Sequence, residues 1–457
     1  MAIGCVVDSY LIATFATHFL IMTLSPRLSN NKNAFTATAL PLLLLGVFSC
    51  IAHAQTSKSR NQIGVNDFTL IGGYVVPHDR RASLDTSRSP GNFYFYRQND
   101  RAFLWMVVNG TSVMRFLVPP VTSTAEAEDA PARQWPVLIP DSAPFEPYSE
   151  VLEKVGDAGP SGLFYDAKAD RLWVSGRAGY AAPVYHGPWL SATDHPTSPD
   201  RIIRSPMSIE GTTMQGNGGG FVELPLHTAI RFFGGRTLGL ASGGYQPGQG
   251  SLAGPSLTLI NPSQPSEQPL TLLRYGAFNG TMKTREFRPD DYTLRPKNVG
   301  PKDTPGISWA EPPREGIGRW FASSIKGNPA WIESGDATTL AYFVTRGTGD
   351  IFYKRHQKVQ TEGFGVAQKT AVYFYDADDL IDVVKGSIGH NSVHARIEDW
   401  PITPGIGGVP RGAQFDASRR ELLVVYERAL GKTERQHVIA RFRLELPMLA
   451  TEETDLE

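Results

Sequence analysis

Gly162-Leu-Phe-Tyr165-Asp166-Ala-Lys-Ala-Asp-Arg-Leu172-Trp-Val174 returns 250 residues later as Gly412-Ala-Gln-Phe415-Asp416-Ala-Ser-Arg-Arg-Glu-Leu422-Leu-Val424. Each copy is a glycine, an aromatic residue three positions on, Asp-Ala, a polar turn and an apolar strand. A looser copy, Tyr96-Arg-Gln-Asn-Asp-Arg-Ala-Phe103-Leu-Trp105, keeps the seven-residue step from aromatic to strand. Self-similarity of this kind marks a repeat architecture built from hairpins.

Working outward, the apolar residue that opens the equivalent strand falls at Phe103, Leu172, Leu238, Leu340 and Leu422. Steps of 69, 66, 102 and 82 residues are too long for the hairpins of one barrel. They suit four-stranded blades of ~40–50 residues with large loops. Short strand patterns recur throughout, among them Phe68–Val76, Ser256–Ile260 and Thr370–Tyr375, together with Ala229–Phe233. Leu380–Lys385 reads as a single helical turn, and no long amphipathic helix is expected. The predicted fold is therefore all-β: a β-propeller of six or seven four-stranded blades, closed by the N- and C-terminal strands Phe68–Val76 and His437–Leu446.

The Gly-x-x-aromatic-Asp-Ala units, with Ala371-Val-Tyr-Phe-Tyr-Asp-Ala-Asp-Asp-Leu380, look like blades of exported bacterial β-propeller proteins. This is a resemblance of pattern. It implies a fold, and it carries no catalytic residues with it.

The totals agree with a globular, strand-rich chain. Net charge is −1 over 457 residues, which offers no electrostatic case for nucleic acid. Both cysteines, Cys5 and Cys50, lie near the N-terminus, so the remainder has neither a disulfide nor a thiolate metal site. Residues 22–54 read as a secretory signal: Arg27 and Lys32, an apolar run from Leu40 to Ile51, then Ala52-His53-Ala54 before Gln55. The apolar run is shorter than the roughly 20 residues a membrane span needs. Residues 1–21 fit a mis-assigned start, with translation beginning at Met22. The expected organisation is a leader (1–54), one propeller domain (55–446) and an acidic tail (447–457). The product would be secreted or periplasmic and monomeric, with no stable membrane span after cleavage.

Candidate chemistry is sparse. Asp166 and Asp416 share a repeat position, which fits either a ring of carboxylates or an Asx-turn, and repetition favours the turn. Asp376-Ala-Asp378-Asp379 lacks the later ligands of a calcium loop. Gly216-Asn-Gly-Gly-Gly220 lacks the Lys-Ser/Thr of a phosphate loop. His390 and His394 have metal-ligand spacing only if helical. Gly-x-Ser-x-Gly is absent. The best candidate patch is Trp309, Glu311, Arg314, Glu315, Arg319, Trp320 and Trp331, where indoles could stack on sugar rings beside paired carboxylates. Tyr185 and His186 form a lesser cluster. Against both stands the plainer reading, tryptophans plugging seams between blades.

From these residues the expected role is binding a small-molecule, glycan or protein ligand at one mouth of the central channel. A carbohydrate-active hydrolase or lyase is the enzymatic alternative, and a quinone-dependent dehydrogenase a third. No residue pattern identifies a cofactor. Two titratable groups pushed apart in one pocket would favour an enzyme.

Overall fold

The computed structural model describes residues 62–79, 84–86, 91–120, 131–148, 159–177, 189–208, 218–242, 255–264, 267–273, 323–324, 327–348, 367–390, 392–401, 406–430 and 436–446. All of them belong to the unit Asn61–Glu457. The leader, the acidic tail, Tyr185, His186 and the patch from Trp309 to Trp320 lie outside the described residues.

Strand β1 (Phe68–Val75) is set apart for the closure. The first blade runs β2 (Phe93–Gln98), β3 (Arg101–Val108), β4 (Ser112–Val118) and β5 (Ile139–Pro140). The second is β6 (Gly159–Asp166), β7 (Arg171–Arg177) and β8 (Trp189–Asp194), with β9 (Ile202–Ile203) and β10 (Met207–Ser208) both along β8. The third is β11 (Gly218–Glu223), β12 (Leu238–Ser242), β13 (Ser256–Ile260) and β14 (Leu270–Leu273), with helix α1 (Leu226–Phe232) between its first two strands. In the fourth, β15 (Ser323–Ser324) and β16 (Ala330–Ser334) both pair with β17 (Ala337–Thr348). β18 (Ala367–Asp376), helix α2 (Ala377–Val384) and β19 (Arg396–Asp399) complete it. The fifth is β20 (Val409–Asp416), β21 (Glu421–Glu427) and β22 (Val438–Leu444), and β1 adds its outer strand.

The propeller therefore has five blades, not six or seven. Phe103, Leu172, Leu238, Leu340 and Leu422 fall on β3, β7, β12, β17 and β21, the second strand of five different sheets. Those five positions are the correct count. The expectation of six or seven overcounts, because it assigns to blades residues that lie between sheets. The ring closes where β1 pairs antiparallel with β22, Phe68 opposite Leu444 and Val75 opposite Val438.

Turn chemistry explains the repeats. Asn99 and Asp100 both take positive φ, at 50° and 60°, the mirror-type turn that suits a two-residue hairpin between β2 and β3. In both copies of the repeat the residue before the second strand is left-handed, Asp170 at 46° and Arg420 at 56°. Asp166 Oδ1 accepts from the amides of Lys168 (3.0 Å) and Ala169 (3.2 Å), and Asp416 Oδ1 from the amide of Ser418 (3.1 Å). These are Asx-turns. Asp376 does the same for α2, accepting from the Asp378 amide at 3.0 Å.

Segment Ala229–Phe233 is helical rather than extended. Pro225 opens α1, and Gly234 and Gly235, at φ 61° and 79°, close it, with the Gly235 amide donating to the Ala229 carbonyl. Likewise α2 runs for eight residues, longer than one turn.

The core lies between the sheets. Blades one and two share Tyr96, Trp105, Leu163 and Tyr165, and three and four share Val222, Leu257, Tyr342 and Tyr375. Four and five share Phe343, Phe374, Leu422 and Phe442, and five and one share Val425, Ile439, Phe95 and Leu104. Trp105, Phe116, Tyr342 and Tyr373 are fully buried. Each such side chain stabilises the fold by about 2–3 kcal/mol through the apolar surface it removes from water. Among the described residues no helix is long and apolar enough to cross a membrane.

Candidate functional site

The innermost strands β2, β6, β11, β16 and β20 contact one another in ring order around the axis. Near the beginning of each stands a glycine: Gly91, Gly162, Gly220, Gly327 and Gly412. Here the strands come too close for side chains. A Cβ on Gly412 would stand 2.8 Å from the Asn328 amide nitrogen, and one on Gly162 2.8 Å from that of Phe221. Only glycine fits such contacts.

Asn328 locks this collar. Its amide donates to the Gly91 carbonyl (2.9 Å), and its carbonyl accepts from the Ala413 amide (2.8 Å). Its Nδ2 donates to the Phe93 carbonyl, and a parallel bridge joins Gly91 to Gly327. The first and fourth blades are not neighbours in the ring, so the bonds from Asn328 to Gly91 and Phe93 pass across the axis itself. Asn328 is 3% exposed.

Beyond the collar the strands diverge around a cavity of about 1050 Å³. Each blade contributes to its wall: Tyr94 and Arg97 from the first, Phe164 and Asp166 from the second, Phe221 and Glu223 from the third. Trp331 and Glu333 come from the fourth, Gln414 and Asp416 from the fifth. Four blades thus supply one carboxylate each, and the remaining blade supplies Arg97. Its Nε donates to Asp416 Oδ2 at 2.9 Å. Asp166 and Asp416 satisfy both readings made from the repeat: one oxygen holds a turn, and the residue faces the cavity.

Glu223 and Glu333 are held differently. The Tyr94 hydroxyl, from a blade two places away, donates to Glu223 Oε2 at 2.7 Å, and the Tyr94 ring lies edge-on to Phe164, centroids 5.3 Å apart. Glu223 is exposed on its cavity side, with protein packed around the rest of the side chain. Loss of bulk solvent raises its carboxyl pKa, Asp166 raises it further, and the Tyr94 hydrogen bond opposes. Burial, with Glu223 adding, likewise raises the Tyr94 phenol well above its ordinary value. Glu333 Oε1 accepts from Trp331 Nε1 (2.8 Å) and from Thr228 Oγ1 on α1 (2.8 Å). His227 Nε2, also on α1, stands 3.3 Å from Glu333 Oε2.

Of the ligand-binding patch and the lesser aromatic cluster expected from the sequence, only Trp331 is among the described residues, and it lies on the cavity wall, 4% exposed. Sequence reasoning missed Tyr94, Arg97, Glu223, Thr228, Asn328 and Glu333. One signal was available: Glu223 is third after Gly220, where the clear repeats have Tyr165 and Phe415. A charge replacing a core aromatic breaks the local rule, as functional positions often do. The segment of His390 and His394 is not helical, and among the described residues no group of three His, Cys, Asp or Glu side chains is placed to hold a metal ion.

No protein-family profile matches the chain, and no curated protein matches it. Several solved structures are similar in fold. An exo-1,5-alpha-L-arabinanase from a bovine ruminal metagenomic library aligns at 11% identity and TM-score 0.37, covering 80% of this chain and 96% of that one. An alpha-L-arabinanase of Cellvibrio cellulosa aligns at 10% identity and TM-score 0.34, covering 78% and 90%. A luciferin-regenerating enzyme aligns at 9% identity and TM-score 0.33, covering 85% and 97%. Likeness of this order carries no argument about activity or ligand.

Proposed function

We propose that this chain is an exported β-propeller that binds a carbohydrate in its axial cavity. The observation that carries the reading is the convergence of Asp166, Glu223, Glu333 and Asp416, one from each of four blades, on a single cavity with Tyr94, Phe164 and Trp331 in its wall. Fixed carboxylates accept hydrogen bonds from sugar hydroxyls, and aromatic rings suit the apolar faces of sugars. Export rests on the leader pattern of residues 22–54.

The test is a thermal-shift screen of residues 55–457 against neutral oligosaccharides, with Kd measured for each that raises the midpoint. Hydrogen bonds to charged groups contribute about 1.5–3 kcal/mol, so Glu223→Gln and Glu333→Gln should each weaken binding at least ~tenfold. Unchanged affinity in both variants would overturn the assignment of the cavity.

One observation favours the hydrolytic alternative: the carboxyl of Glu223 is raised, as a proton donor to a leaving oxygen requires. Release of reducing ends by the wild type and not by Glu223→Gln, with binding retained, would establish it. It is the second reading because it rests on one carboxyl, whereas binding rests on the convergence of four.

A further inference from the structure

We propose that the cavity is a blind pocket that receives the end of a carbohydrate chain rather than its middle. The inference rests on the carbohydrate reading and specifies which part of the ligand is recognised.

Its basis is the collar. A polymer threading the axis would have to pass Asn328, which bonds to Gly91 and Phe93 across the axis and to Ala413 of the neighbouring fifth blade. Strands that leave no room for a methyl group at Gly162, Gly220 or Gly412 leave none for a sugar. Whatever enters must leave by the same mouth. The wall draws on all five innermost strands, β2, β6, β11, β16 and β20. A segment from the middle of a chain would have to fold back on itself to reach Glu223. A terminal unit would not.

The strand geometry sets the depth. Ala413 is bonded to the floor residue Asn328, and Asp416 caps the turn at the rim of the same strand. Three residues at ~3.3 Å each make about 10 Å, the length of about two sugar rings. The pocket therefore holds one terminal unit and its neighbour, with Tyr94, Glu223 and Trp331 partway up the wall.

The experiment takes neutral tetrasaccharides (gluco-, galacto-, manno-, xylo- and arabino-) in three forms: free, capped with a bulky ether at the non-reducing end, and conjugated at the reducing end. Affinity for residues 55–457 is measured by calorimetry. For a tetrasaccharide that binds, blocking one end should weaken affinity at least ~tenfold, and blocking the other should change it less than about threefold. The parent polysaccharide should take up one protein per chain end. Equal binding of both blocked forms, or uptake that scales with polymer length, would overturn end recognition and leave carbohydrate binding standing. Failure of every free tetrasaccharide to bind would overturn both.

Discussion

The side-chain oxygen of Asn328 occupies the space where a Cβ on Gly220 would lie. The third and fourth blades meet at that point, and the absence of one methyl group lets Asn328 close the axis. Gly220→Ala would push Asn328 off Gly91 and Phe93. Overpacking of this kind costs roughly 1–3 kcal/mol. Gly386 supplies the control: it has φ 74° with open space around it, so Gly386→Ala meets backbone strain alone, about 1 kcal/mol. Denaturant unfolding of the two variants should rank Gly220→Ala as the more damaging. The reverse order would mean that the collar is not tightly packed.

The hydroxyl of Tyr94 opposes the upward shift of Glu223, so removing it should let the carboxyl rise further. In Tyr94→Phe, a carboxyl-detected NMR titration should place the Glu223 midpoint higher than in the wild type, which itself should lie above an ordinary glutamate. The sign follows from the hydrogen bond, which favours the charged form. A midpoint that falls in the variant would show that Tyr94 acts on Glu223 by burial rather than by donation.

Much of this architecture was readable in the chain, and the failures have physical reasons. The turn after Asp166 and Asp416, and the apolar strand that follows, are local features, so five second strands could be located from Phe103 to Leu422. Those five positions already carry the blade number, and the expectation of six or seven arises only because residues lying between sheets are shared out among blades. Helix α1 was misread because Ala229-Ile-Arg-Phe-Phe233 is rich in strand formers, although Pro225 before it and Gly234-Gly235 after it are helix punctuation. The cavity was invisible for a different reason. Its carboxylates stand at 166, 223, 333 and 416, and only closure of the ring makes them neighbours.

The closing blade also holds a buried ion pair, between β21 and β22. Arg441 on β22 meets Glu421 on β21 through two bonds, Nε to Oε2 at 2.9 Å and Nη2 to Oε1 at 2.8 Å, and both residues are buried. Removing one partner strands the other charge inside the sheet. Glu421→Ala should cost about 3–5 kcal/mol in chemical denaturation, whereas the double replacement Glu421→Leu with Arg441→Met should recover most of that loss. A double variant as weak as the single one would point to shape, not charge, as what this corner of the closing blade requires.

His437 sits where β22 begins and gives the fold a pH dependence of predictable sign. The ring is fully buried, its Nδ1 accepts from the Arg428 amide at 3.0 Å, and its carbonyl accepts from Val76 beside the closing strand. Burial pushes its pKa down from 6.5 to about 4, with Glu427 opposing and the nearby His78 and Arg428 adding to the fall. The folded state therefore binds fewer protons than the unfolded state between those two values. Stability from this group is complete above pH 6.5, falls as pH drops towards 4, and is constant below. The full span amounts to something on the order of 3 kcal/mol. Unfolding free energy measured from pH 7.5 to 4.5 should decline, and His437→Gln, which cannot titrate, should start lower and decline less steeply. Parallel slopes in the two proteins would assign the acid sensitivity to carboxylates elsewhere and leave His437 a packing residue.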